Sequence, residues 1–148
     1  MSERFAAASG RKVISRDSAE ELGHLAHLLV DVERAQVVSL VLGKGRKARM
    51  VDWENVGGFG PDAVIVTDES ALRAARDERE RAAVDGKLDL VGKRALSDRG
   101  NELGTISDVV FDPQTGALET LVVGDREEPA ASLLGAGSFA AIVRTRTE

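Results

Sequence analysis

Two histidines, His24 and His27, are the residues whose spacing first suggests chemistry, because a histidine pair can bind a metal ion. On a helix, side chains three positions apart would share one face. The repeat described below instead places both residues on a strand, where an odd separation points side chains to opposite faces. A β-bulge between them would relax that objection. We expect a structural or surface role for both histidines and no metal site.

Four aspartates, Asp17, Asp31, Asp98 and Asp112, could be paired carboxylates for acid–base catalysis. The first two recur in the second half of the chain, and Asp31 and Asp112 each follow a predicted strand. An aspartate at such a turn commonly accepts local backbone N–H groups. No Ser-His-Asp arrangement or nucleophile-elbow sequence accompanies them. We therefore predict turn residues, no catalytic residues and no enzyme.

A basic cluster consists of Lys44, Arg46, Lys47 and Arg49, around a predicted hairpin tip at 44–49. It lacks the P-loop spacing. Such cations could bind phosphates of RNA or an acidic protein surface, or they could simply be solvated. The equivalent loop of the second repeat, Asp125-Arg126-Glu127-Glu128, has the opposite net sign. Complementary loops of this kind could fix the register between repeats or between chains.

The only tryptophan, Trp53, follows the basic cluster closely. It could pack over the end of a barrel, or with Phe59 it could anchor a partner, since tryptophan concentrates binding energy at interfaces. The glycine-rich run Gly57–Gly60 is explained by a tight connection between strands, because it does not lead from a strand into a helix as a cofactor loop would. We predict no cofactor.

The elements that position these residues occur twice. In the main part of the repeat the offset is 81 residues, and towards the end it falls to 77, so the second copy has lost four residues between Gly124 and Leu133. The matched segments are Glu21-Leu22-Gly23 with Glu102-Leu103-Gly104, Leu40–Gly43 with Leu121–Gly124, and Gly60–Val66 with Gly137–Val143. Short apolar runs between turn residues predict small barrels or sandwiches. We assign 1–67 and 87–148 to the two copies and 68–86 to a linker.

The linker at 68–86 is rich in alanine, arginine and acidic residues and contains few β-branched residues. This composition predicts one exposed helix of about four turns. Asp68 or Ser70 could cap its start, and Gly86 could end it. The helix could be docked loosely on a barrel, or it could form a dimer contact.

The bulk composition excludes several classes of protein. The 148 residues carry a net charge of −5, which argues against general nucleic-acid binding. No apolar run approaches the length of a membrane span, and the N-terminus has no apolar signal core. Cysteine is absent, as expected in a reducing cytoplasm.

Residues 90–124 resemble the PRC-barrel family, through Leu90–Arg94, Asn101–Asp112 and Gly116–Gly124. The first copy is similar through Gly10–Val13, Leu22-Gly23, Val30-Asp31 and Trp53–Val56, although it has His27 where the second copy has Asp108, and it lacks the Pro-x-x-Gly turn. The second copy departs by its shortened end. The family includes the reaction-centre H subunit and the C-terminal domain of a ribosome-maturation factor. The resemblance implies a small, strongly bent β-barrel of about five or six strands per copy and a docking role without shared chemistry.

Together these observations predict an all-β protein of two tandem PRC-type barrels with one connecting helix, packed as a pseudo-two-fold pair. The expected function is a non-catalytic cytoplasmic adaptor that binds protein partners, with self-association as a further option. The alternative is a ribosome- or RNA-associated maturation factor that uses the basic hairpin 44–49; the net negative charge argues against it.

Overall fold

The structure is a computed structural model that describes residues 2–145. Within these residues, thirteen strands and two short helices form. They are β1 (Glu3–Arg4), α1 (Phe5–Ala8), β2 (Lys12–Ser15), β3 (Glu21–Asp31), β4 (Gln36–Leu42), β5 (Arg49–Asp52), β6 (Val56–Phe59), β7 (Val64–Val66), α2 (Glu78–Val84), β8 (Arg94–Ser97), β9 (Glu102–Phe111), β10 (Leu118–Val123), β11 (Arg126–Pro129), β12 (Leu133–Ala136) and β13 (Ala141–Val143). The prediction of an all-β fold is confirmed.

Two sheets share one strand order. The first is β5-β4-β3-β2-β7-β6 and the second is β11-β10-β9-β8-β13-β12, with β1 added to β9. In both sheets the same two strands pair in parallel, β2 with β7 in the first and β8 with β13 in the second. We call β2–β7 unit 1 and β8–β13 unit 2. Unit 2 contains every strand of unit 1 despite its shortened end.

The β-bulges repeat as well as the strands. Each unit has four positions at which one residue is left out of the pairing register. They are Leu22, Ala26, Val38 and Gly57 in unit 1, and Leu103, Ser107, Glu119 and Leu134 in unit 2. The offsets are 81, 81, 81 and 77, the same values as in the sequence. Because bulges bend strands, the long strands β3 and β9 can pair with β2 or β8 at one end and with β4 or β10 at the other.

The four missing residues lie in one turn. In unit 1, Leu42 pairs with Arg49 and six residues, 43–48, connect them. In unit 2, Val123 pairs with Arg126 across only Gly124 and Asp125. The segment without a counterpart therefore falls at the predicted basic hairpin.

A pseudo-two-fold axis relates the units at an isolated bridge between Gln36 and Ala117. The Val37 N–H donates to the Gly116 carbonyl at 2.9 Å, and the Leu118 N–H donates to the Ala35 carbonyl at 2.8 Å. Gln36 and Ala117 are 81 positions apart, so this residue pairs with its own counterpart. Such reciprocal pairing is what a two-fold arrangement produces.

One hydrophobic core spans both units. At its centre Phe111 of unit 2 is fully buried among three aromatic rings from the first half of the chain. Its ring centroid lies 5.3 Å from Phe5, 5.2 Å from Phe59 and 6.5 Å from Trp53. Each unit is small, so sharing a core increases the apolar surface that it removes from water.

The connection between the units is not the predicted four-turn helix. Only Glu78–Val84 is α-helical, after a 3₁₀ turn at Glu69–Ala71. Between them Arg73 bridges to Met50 of β5 through two backbone hydrogen bonds, of 2.7 and 2.9 Å. An extended backbone paired with a strand edge cannot also be helical, which is why the helix is short. Asp77 caps α2, and Gly86 follows its end with φ +78°. Within residues 2–145, neither helix has the length and apolar composition that a membrane crossing requires.

Candidate functional site

The turn between β4 and β5 carries the predicted basic cluster, and we call residues 43–49 the basic turn. Lys44, Arg46 and Lys47 are exposed on it, and Gly45–Lys47 form a 3₁₀ turn. Arg49 is exposed at the start of β5. Ala48 is buried and packs into a small apolar cluster beneath α2. The buried Ala48 anchors the turn, so the cations project from a fixed support.

The charge of the basic turn is not neutralised within the described part of the chain. None of its four cations forms an ion pair with an acidic side chain among residues 2–145. The Arg49 guanidinium donates only to backbone carbonyls, those of Arg46 at 3.2 Å and Ala48 at 2.9 Å. These hydrogen bonds hold the arginine without cancelling its charge. The turn therefore presents four positive charges to solvent.

The equivalent corner of unit 2 is acidic, but its alignment with the basic turn needs correction. Arg126 pairs with Val123 as Arg49 pairs with Leu42, so Arg126 is the counterpart of Arg49 rather than of a loop residue. Asp125 and Glu127 are exposed there. Arg126 forms an ion pair with Glu128 at 3.7 Å. Unit 2 thus replaces the cationic segment by a two-residue turn followed by acidic residues.

The strand directions lead the two corners away from each other. β4 and β10 run antiparallel from the Gln36–Ala117 bridge, so each strand leads away from the axis to its own turn. With a rise of about 3.3 Å per residue, straight strands would separate the turns by roughly 40 Å. Contact between the two turns of one chain is therefore not expected.

Trp53 and Phe59 lie in the core region rather than beside the basic turn as a free aromatic surface. Phe59 is buried, with 7% of its surface exposed, and its role as a partner anchor stays a prediction. Trp53 is partly buried and stacks on Phe59 at 6.0 Å. It also contacts Gly116 of unit 2, where an added Cβ would lie 2.9 Å from the ring. These contacts place the Trp53 ring against the core, and its role in partner binding stays a prediction.

The two histidines, His24 and His27, have different surroundings. His24 is exposed, whereas the His27 ring is partly buried and its Nδ1 lies 2.9 Å from a carboxylate oxygen of Asp89. A bulge does occur between them, at Ala26. No metal-type cluster of acidic and histidine side chains forms among residues 2–145. Asp89, just before unit 2, is a partner that sequence spacing could not identify because it is 62 positions away.

His27 and Asp89 also line a cavity of about 180 Å³ between α1, β3 and the connector that precedes β8. Its other walls are mostly apolar and include Phe5, Leu25 and Leu90. The counterpart of His27 is Asp108, which accepts a hydrogen bond from the Ala6 N–H at 3.0 Å. In each unit, this position of the long strand thus contacts the segment that leads into the other unit.

The carboxylates proposed as turn residues behave accordingly. Asp31 accepts from the Arg34 N–H at 3.3 Å, and Asp112 accepts from the Gln114 N–H at 2.8 Å. Asp17 pairs with its neighbour Arg16 at 3.3 Å. These contacts are local, so the prediction of structural turns is confirmed for Asp31 and Asp112.

A charged network that the sequence did not suggest fastens the connector to unit 1. Arg73 donates to Asp52 at 2.7 Å and to both oxygens of Glu80 at 2.8 Å. The hydrogen bond from Arg73 lowers the pKa of Asp52 and of Glu80, although burial opposes both changes. The Arg76 N–H donates to Glu80 at 2.8 Å and further favours its ionised form. This network holds α2 over β3 next to the basic turn.

Comparison with known proteins identifies only part of the chain. No curated protein is similar enough to count as a relative. The match found begins just before β8 and ends within β13, so it covers unit 2 and not unit 1. Residues 88–142 match the PRC-barrel domain family.

Proposed function

We propose that this chain is a non-catalytic protein-interaction module of two PRC-barrel copies, whose basic turn binds an acidic surface of a partner protein. Unit 1 is assigned as the second copy because its strand order and four bulges repeat those of unit 2. The cysteine-free composition fits a cytoplasmic site of action.

The observation that carries this proposal is a group of four unneutralised cations on an anchored turn, of which Lys44, Arg46 and Lys47 have no counterpart in unit 2. Side chains that maintain the fold are needed in both units, whereas these three cations occur only in unit 1. An acidic protein fits better than RNA, because stacking platforms for bases are missing around the turn. Trp53 and Phe59 pack inward, and the exposed Phe139 belongs to unit 2.

The test compares a labelled polyglutamate peptide with a labelled single-stranded RNA of equal charge, by fluorescence anisotropy at low salt. The turn variant is Lys44/Arg46/Lys47→Ser. The control, Lys12/Arg16/Arg34→Ser, removes the same charge from cations that already contact carboxylates. Three exposed contacts of about 0.2–1 kcal/mol each predict about tenfold weaker peptide binding by the turn variant.

The control variant should bind polyglutamate about as well as the natural chain. Equal binding by the turn and control variants would show that only net charge matters and would refute the proposal. Tighter binding of the RNA than of the peptide, dependent on the turn, would replace the adaptor function by an RNA-associated one.

A further inference from the structure

We infer that a second copy of this chain provides the acidic surface, and that copies associate head to tail. This inference rests on the proposed function, namely that the basic turn binds acidic protein surface. The surface in question is the acidic edge, which we define as Asp125, Glu127 and Glu128. It lies at the corner of unit 2 that corresponds by the pseudo-two-fold to the basic turn.

The acidic edge is accessible and electrostatically suited to the basic turn. Asp125 and Glu127 are exposed, and Arg126 offsets one of the three carboxylates through its contact with Glu128. β11 is the terminal strand of its sheet. Charged residues and Pro129 on such a strand disfavour pairing with a strand from another molecule. The contact is therefore made by side-chain charges and not by addition of a strand.

The topology opposes the same contact within one molecule. The basic turn and the acidic edge point away from the Gln36–Ala117 bridge in opposite directions. A copy whose basic turn binds a neighbour still has its own acidic edge free to bind another copy. Likewise, a copy whose acidic edge is bound still has its basic turn free. Because the two surfaces differ, the contact is heterologous, so repetition gives open chains or closed rings rather than a symmetric dimer.

Two neutralised variants test this arrangement by sedimentation velocity. The first is Lys44/Arg46/Lys47→Ser, and the second is Asp125→Asn/Glu127→Gln/Glu128→Gln. The natural chain should form larger species as its concentration rises at 50 mM salt, and about tenfold weaker association is expected at 500 mM salt because exposed charges are screened. Each variant alone should stay monomeric. An equimolar mixture should form heterodimers and nothing larger, since only one productive pair of surfaces remains.

Several outcomes would overturn the inference. The natural chain could remain monomeric at 1 mM protein in low salt, or either variant could associate as strongly as the natural chain. Mixed variants that assemble beyond dimers would also contradict it. If the natural chain is monomeric but its polyglutamate binding still depends on the basic turn, self-association is refuted and the proposed function stands. If polyglutamate binding does not depend on the basic turn, both the proposed function and the self-association are refuted. Far-ultraviolet circular dichroism confirms that each variant is folded.

Discussion

Replacing Gly116 by alanine tests the packing of the two units at the pseudo-two-fold bridge. Gly116 has φ +80°, a conformation that costs a residue with a Cβ about 1–2 kcal/mol. The added Cβ would lie 2.6 Å from Gln36 Nε2 and 2.9 Å from Trp53 Cε2. Gln36 cannot swing away freely, because its amide donates to the Thr115 carbonyl. Overpacking of this kind adds about 1–3 kcal/mol, so we expect a total loss of about 2–5 kcal/mol.

Gly100→Ala is the matched control for backbone strain. Gly100 has φ +89°, and a Cβ there would meet nothing within 4 Å. Its replacement should therefore cost only the backbone contribution of about 1–2 kcal/mol. Urea unfolding followed by the fluorescence of Trp53, the single tryptophan, measures both variants. Gly116→Ala should also shift the emission of the folded protein. Equal free energies of unfolding for the two variants would refute the tight contact between units.

Three further predictions concern stability. Phe111→Ala removes the ring at the centre of the shared core and should cost about 3–5 kcal/mol in urea unfolding; a loss below about 1 kcal/mol would contradict a core common to both units. Because Arg73 lowers the pKa of Asp52 and Glu80, their contribution is complete above the unfolded-state values near 4 and is lost as pH falls through the folded-state values. Glu80→Gln should therefore lower Tm at pH 7 and differ less from the natural chain at pH 3, whereas a pH-independent difference would rule out this linkage. Ser97→Ala removes the buried oxygen that accepts from two backbone N–H groups and should lower the free energy of unfolding by about 1–3 kcal/mol. Thermal unfolding measures this change, and a change near zero would contradict the prediction.

The repeat could be predicted from the sequence because each unit reuses local signals at fixed positions. Turn residues and apolar runs recur at an offset of 81, and the change to 77 correctly requires a shorter second unit. The turn roles of Asp31 and Asp112 follow from local backbone chemistry, which needs no knowledge of distant residues. Features set by neighbours in sequence were therefore predictable.

Long-range pairing accounts for what the sequence did not reveal. The composition of 68–86 favours helix, but pairing of Arg73 with Met50 keeps part of the connector extended. A weak helix propensity is easily overridden by such tertiary contacts. Likewise, the partnership of His27 with Asp89 and the burial of Phe59 depend on how the units meet. The residue pattern within either unit does not predict how the two units pack against each other.

The differences between the units indicate where function lies. Residues that maintain the fold recur at corresponding positions in β2 and β8: Ser15 and Ser97 are both buried. In the turn that follows its strand, Ser15 accepts one backbone N–H group and Ser97 accepts two. The backbone also repeats, because the pairing register shifts at the same four positions in both units. Within the described residues, unit 2 has no counterpart of residues 44–47, and its strand order is nevertheless the same. Unit 2 folds without a counterpart of residues 44–47, which agrees with the proposal that the charge of this segment in unit 1 serves binding rather than stability.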